Sequence, residues 1–434
     1  MLFLYILPMK YVGLVIIALL AAVVVLLPAP DEPQPGPEVG IEKPPVAICP
    51  VEEGSGRSTD VAILSDVDGP TQLTLFAEGE IVGSLGTTTG PSGSTVVPVG
   101  DVVALGTMGG LIELPTAEST AGVVVSGAQS FIAELCPSAS ATQVLLTGGS
   151  TAGGDTFEMQ LMNPYAGEAI ASFQVTSEVG LESNDRFSSI VVPPRSSRII
   201  DFNQLVPGRE NLSVLVETTL GSVVSVARRG VEGESALWTA IEPAQDWFLP
   251  VPRGGASKEL ILSTSSATEV DYQIDFYGPD GLVEAFLSDV LSARGSITID
   301  LAAISEEPAA VRVIATGPVV PTLLMDGERT LAMTTAARAE ASRWMLPGAG
   351  TPDGGFANLV ILNAGLGDST VRIRPLRENT SVRSLVVEAD HVVEVGIQPA
   401  AGYLVEATSP VVVLWIAFTN SGGAAAIGVP LPDG

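Results

Sequence analysis

Trp247-Phe248-Leu249-Pro250 and Trp344-Met345-Leu346-Pro347 stand 97 residues apart. A chain that repeats itself at such a period must be built from like units, each burying its apolar faces in its own core or against its neighbours. Cys49-Pro50 and Cys136-Pro137 take the same place earlier in the chain and Leu431-Pro432 closes it, so the marks fall at 49, 136, 249, 346 and 431. The intervals of 87, 113, 97 and 85 residues define four units.

Two further sets of matches give the same register. Pro193–Phe202 aligns with the segment ending at Leu301 on Arg195/Arg294, Ser197/Ser296 and Asp201/Asp300, a spacing of 99. Leu220-Gly221-Ser222-Val223-Val224, Thr316-Gly317-Pro318-Val319-Val320 and Thr408-Ser409-Pro410-Val411-Val412 form the third set. The first unit is shorter and divergent, as terminal repeats often are.

Within units the side chains alternate with period 2. Phe157, Met159 and Leu161 are separated by Glu158 and Gln160; Val270, Tyr272, Ile274 and Phe276 by Asp271, Gln273 and Asp275; Val371 and Ile373 by Arg372. Such strands bury one face and wet the other. With 46 Gly, 32 Pro and only 16% charged residues, the composition is one of many short strands joined by turns. Seven or eight strands in each unit predict an all-β chain of tandem immunoglobulin-like sandwiches; a β-propeller-like arrangement is the alternative, although propeller blades use roughly 40–50 residues each. No polar linker separates the units, so a stiff rod or arc is expected.

Tyr11–Leu27 is an uninterrupted apolar run preceded by Lys10 and followed by Asp31, Glu32 and Glu38. At about 1.5 Å per residue it approaches the ~30 Å of a bilayer's hydrocarbon core, and the flanking charges place the N-terminus in the cytoplasm. A cleaved signal peptide is the alternative reading, but Leu27-Pro28-Ala29-Pro30 lacks the small-x-small cleavage pattern. The expected division is a cytoplasmic stub (1–10), a transmembrane anchor (11–27), a Pro-rich acidic linker (28–47) and units at 48–137, 138–245, 246–345 and 346–434. All 49 acidic residues lie downstream of residue 30, against 20 basic ones in the whole chain, for a net charge of −29. That surface repels nucleic acid and anionic headgroups.

Outside the cytoplasm a disulfide is stable, so Cys49 and Cys136 are expected to pair and close the first unit on itself. His391 is the only histidine and falls in a turn before a strand, which removes a Ser-His-Asp triad and multi-histidine metal sites. Asp66-Val67-Asp68-Gly69 lacks the remaining ligands of a calcium loop and reads as a turn. Asp201 and Asp300 read as turn or strand-end residues, because the fourth unit has Gly396 at that place. Trp247, Pro250, Trp344 and Pro347 are structural landmarks, Trp415 lies in the apolar run VVVLWIAF, and a sugar platform would need an exposed Trp or Tyr flanked by polar groups in a groove. Asn211-Leu212-Ser213 and Asn379-Thr380-Ser381 match a glycosylation pattern weakly. No catalytic, metal or cofactor-binding residue is expected.

The succession W-x-L-P, Asn163-Pro164 or Asn363-Ala364 turn, Gly turn, I-x-D strand and Pro-Val-Val strand resembles an uncharacterised actinobacterial family of exported, membrane-anchored proteins. Genes of that family often neighbour one for a polytopic family-2 glycosyltransferase. The resemblance covers roughly residues 46 to 434, and the first unit departs from its motifs. It implies a cell-envelope role without naming an activity; with no catalytic constellation in the sequence, a non-enzymatic scaffold with an envelope protein or glycosyltransferase as partner is the expectation. A carbohydrate-binding array and a carboxylate-dependent glycoside hydrolase are the alternatives.

Overall fold

The computed structural model describes residues 45–432, apart from 54–56, 91–92, 102–105, 128–129, 138–140, 255–256, 303–305, 328–329, 349–354, 377–380 and 399. The expected anchor at 11–27 and nearly all of the linker lie outside these residues. Among the described residues no helix is long and apolar enough to cross a membrane.

The chain is all-β, and its strands fall into four blocks of one plan. In the first, β1 (Val46–Glu53), β6 (Gly106–Glu113), β3 (Gly69–Ala77) and β4 (Glu80–Thr89) form one sheet in that order. The second sheet orders β8 (Ser130–Leu135), β7 (Thr120–Gly127), β2 (Arg57–Leu64) and β5 (Ser94–Pro98). The chain crosses between the sheets at every connection except the β3–β4 and β7–β8 hairpins, and the facing sides share one core containing Ile48, Val61, Leu73, Ile112 and Val123.

The second block repeats the plan with β9 (Gln143–Gly149), β15 (Leu212–Leu220), β11 (Ala169–Ser177) and β12 (Gly180–Glu182) in one sheet, β13 (Ile190–Val192) also pairing β11. Its second sheet holds β17 (Glu234–Thr239), β16 (Val224–Val231), β10 (Thr156–Asn163) and β14 (Ser196–Asp201).

In the last two blocks the sixth and seventh strands fuse. The third block has β18 (Ala244–Val251), β19 (Ser257–Thr264), β20 (Val270–Gly278), β21 (Gly281–Leu291), β22 (Ser296–Asp300) and β24 (Ala332–Thr335) around the 18-residue β23 (Ala309–Asp326). The first half of β23 pairs β18 and β20, and the second half pairs β19 and β24. The fourth block has β25 (Ala341–Pro347), β26 (Phe356–Asn363), β27 (Ser369–Pro375), β28 (Arg383–Val387), β29 (His391–Ile397) and β31 (Gly422–Ile427) around β30 (Gly402–Thr419). Because β25 pairs β30, Trp344 and its neighbours open the fourth block and do not close the third.

The third set of sequence matches marks where the chain leaves one sheet for the next. Pro318 and Pro410 stand at this passage, where a missing N–H breaks no ladder. The repeated tryptophans close the same passage. Trp247 Nε1 donates to the carbonyls of Val319 (2.9 Å) and Ala244 (3.1 Å), and Trp344 Nε1 to those of Val411 (2.8 Å) and Ala341 (3.0 Å). W-x-L-P and P-V-V are therefore two halves of one device, joined by the indole at the passage between sheets.

The Asn turns repeat equally closely. Asn163 Nδ2 donates to the carbonyls of Gly167, Val192 and Pro193, and Asn363 Nδ2 to those of Gly367, Val387 and Glu388. Arg195, Arg294 and Asp390, equivalent in the repeat, all adopt positive φ (49°, 51° and 56°).

The expected rod is corrected: the blocks close on themselves. Period-2 alternation predicts one wet face per strand, yet inner strands of the second sheets bury residues on both faces, as with Leu260, Ile261 and Leu262 of β19. Leu260 and Leu262 join the third block's own core, while Ile261 packs with Leu324 and Met333 into the core of the second. Likewise Met162, Val224 and Val226 of the second block pack into the first, and Phe248, Tyr277 and Ala310 of the third into the fourth. Closure comes from the first and fourth blocks, where Ala62 and Leu64 pack on Met345, Leu376 and Leu404. Apolar faces on both sides of a sheet have no stable exposed end, so a closed ring is the arrangement that covers them all.

Candidate functional site

The eighth strands of the blocks, β8, β17, β24 and β31, pack on one another in a cycle around the ring's axis. Their registers are equivalent: Leu135 pairs Gly122, Thr239 pairs Val226, Thr335 pairs Thr322 and Ile427 pairs Leu414. These four residues line a well of about 590 Å³, and the four residues that follow them, Cys136, Ala240, Ala336 and Gly428, line it too. The small side chains at three of those positions make the space. Trp247 and Trp344 back the wall, and both are fully buried.

The polar groups of the well are few. Glu134 on β8 is 7% exposed, and burial holds its carboxyl well above the usual carboxylate range, against the opposing effect of the Leu135 N–H that it accepts at 2.9 Å. Thr239 Oγ1 is buried and has no hydrogen-bond partner among the described residues. Arg338 stands over the Trp247 ring at 5.6 Å and pairs with Glu242 at 3.1 Å. The well can therefore offer a neutral acid, a free hydroxyl and a mainly apolar wall.

A second repeated feature lies at the outer rim. Among the described residues the fourth strand of each block pairs on one side only, with β4 on β3, β12 on β11, β21 on β20 and β28 on β27. Each of these edges exposes large apolar side chains: Ile81 (51%), Leu181 (60%), Phe286 (52%) and Val386 (58%). An exposed apolar edge is a template for another chain unless it is blunted, and the acids Glu80, Glu284 and Asp289 on β4 and β21 blunt it only in part.

Most residues singled out from the sequence prove architectural. Cys49 and Cys136 form a disulfide, with Cα atoms 4.7 Å apart, that ties β1 to the end of β8 and so joins the two sheets of the first block. Asp201 accepts from the backbone of Asn203 (2.9 Å) and Asp300 from that of Ala302 (2.7 Å), each capping a strand end. Pro250 and Pro347 lie in β18 and β25 beside their tryptophans. His391 opens β29 with Nδ1 2.6 Å from the carbonyl of Ala389. Asn211 donates to Thr298 at 3.1 Å; Asn379 lies outside the described residues. Among the described residues no cluster of His, Cys, Asp or Glu could hold a metal.

Sequence reasoning missed Glu134 and Asp66. Glu134 was detectable as the lone acid of the apolar strand Ser130–Leu135. Asp66 belongs to the calcium-like segment, yet its carboxylate is taken by Arg343 (3.1 Å) and Arg374 of the fourth block.

The model of the "Family of unknown function (DUF5719)" matches residues 115–323 and again 229–426, two overlapping spans displaced by about one block. No curated protein matches the chain. Among solved structures, Thermotoga maritima 1070 is 20% identical over 22% of this chain and 96% of its own, with a TM-score of 0.20. The tetra-tandem repeat in the extending region of a large adhesion protein is 10% identical over 89% and 99%, with a TM-score of 0.11. The Streptomyces avermitilis alpha-L-rhamnosidase is 10% identical over 85% and 57%, with a TM-score of 0.12. Likenesses at these scores carry no argument.

Proposed function

We propose that this chain, which belongs to the DUF5719 family of unknown function, is a non-enzymatic scaffold of the cell envelope, anchored in the membrane by residues 11–27 with its ring outside the cytoplasm. The observation that carries the reading is the fourfold set of unpaired apolar edge strands, which offers a partner chain backbone hydrogen bonds and apolar contacts together. A membrane glycosyltransferase is the partner class that the sequence resemblance favours. The two-sheet build supports viewing each block as a variant of the immunoglobulin-like sandwich, with the first and seventh strands exchanged between sheets.

The carbohydrate-array reading needs an exposed aromatic platform among the tryptophans, and Trp238, Trp247, Trp344 and Trp415 are all fully buried. The hydrolase reading would rest on Glu134 and Glu242, which line the same well, but Glu242 is engaged by Arg338.

The test is affinity capture of the full-length protein from membranes, with mass spectrometry of what is retained, beside Ile81→Lys and Phe286→Lys variants. Recovery of a glycosyltransferase or envelope protein by the wild type, reduced at least tenfold by the edge variants, is expected. Equal recovery by all three, or none by the wild type, contradicts the scaffold reading.

A further inference from the structure

We infer that the axial well is a binding site for an uncharged, mainly apolar small molecule carrying a hydrogen-bonding oxygen, a role separate from partner binding at the rim. The well's volume, about 590 Å³, lies within the roughly 300–1,000 Å³ of small-molecule sites. It is made by the fold itself: Ala240, Ala336 and Gly428 occupy equivalent places around the axis, and a large side chain at Ala240 or Ala336 would fill it.

Two groups set the ligand's polarity. Thr239 Oγ1 is withdrawn from water without a partner among the described residues, an arrangement whose cost a bound oxygen or N–H would remove. Glu134, nine-tenths buried, meets only the N–H of its neighbour Leu135 among the described residues, so a protonated carboxyl keeps an O–H to donate. A ketone, ester or ether oxygen suits both groups.

Charge is disfavoured on either sign. The cationic group in the wall, Arg338, is already held by the carboxylate of Glu242 at 3.1 Å and by its backbone carbonyl, so an anion entering would find no free counter-charge there and would meet Glu134. A cation could be neutralised only by ionising Glu134 in an apolar wall. The well therefore selects by shape and by one oxygen, as apolar pockets with few polar groups do.

Saturation-transfer NMR on the full-length protein in lipid nanodiscs tests this with four probes of like size: acetophenone, toluene, benzoate and benzylammonium. Acetophenone is expected to bind most tightly and benzoate not at all. Ala336→Trp should abolish the acetophenone signal, and Thr239→Val should weaken acetophenone by roughly tenfold while leaving toluene unchanged. Ala240→Phe, filling the well from another block, serves where Ala336→Trp does not fold. Tighter binding of benzylammonium than of acetophenone would identify a cation site and overturn the inference. So would a signal that both filling variants retain, or no binding of any probe at millimolar concentration.

Discussion

Arg343 and Asp66, separated by most of the chain, lie 3.1 Å apart and join the fourth block to the first. Arg343 also reaches Glu118 at 3.0 Å, and Arg374 takes the other oxygen of Asp66. Beside them Ser94 Oγ donates to the carbonyl of Leu376 at 2.6 Å. These contacts lie at the one seam of the ring that chain connectivity does not impose.

Asp66→Asn should accordingly destabilise the protein by about 1–2 kcal/mol, since it leaves two partly buried guanidinium groups short of a carboxylate. Glu242→Gln, at the exposed pair with Arg338, should change stability by less than about 0.5 kcal/mol. Urea unfolding of the two variants side by side checks the difference.

The tryptophans predict a contrast. Trp344 Nε1 serves two carbonyls, whereas Trp415 Nε1 is buried without a partner. Replacing either by Phe leaves a similar void. Trp344→Phe should therefore cost about 1–3 kcal/mol more than Trp415→Phe, because it alone strands buried carbonyls. Equal thermal midpoints for the two variants would contradict the account of the sheet passage.

Glu134 ties stability to pH. Its carboxyl is raised well above the ordinary range by burial, so the folded state keeps a proton that the unfolded state loses. Stability should thus fall as pH climbs above the ordinary carboxylate range, until the folded-state group itself ionises. Glu134→Gln should flatten that slope between pH 4 and 8 and be the more stable form at pH 8. Parallel pH profiles of the denaturation midpoint would show that Glu134 is not held neutral.

The disulfide joins both sheets of the first block across a separation of 87 residues. Cys136→Ser should cost about 2–5 kcal/mol. Reducing agent should lower the wild type's stability and leave the variant unchanged, measured by guanidinium unfolding.

The all-β class was legible because strand alternation and turn composition are local, and the disulfide because the chain holds only two cysteines. Ring closure was not. Alternation marks which residues avoid water but not how many sheets compete for a face: Ile261 and Leu262 sit side by side in one strand and serve two different cores. The well was hidden for the same reason. Leu135, Thr239, Thr335 and Ile427 are of three different residue types, and only the pairing register shows them to be equivalent.

Closure of the ring is tested most directly by a cysteine pair across its seam. A Cβ at Gly122 on β7 would lie 3.0 Å from that of Pro347 on β25, close to the separation a disulfide bridges. Gly122→Cys and Pro347→Cys, placed together in a Cys49→Ser, Cys136→Ser background and oxidised, should yield an intramolecular bridge found by peptide mass spectrometry. In a linear array these residues belong to opposite ends. Free thiols, or disulfides only between molecules of a folded protein, would contradict the ring.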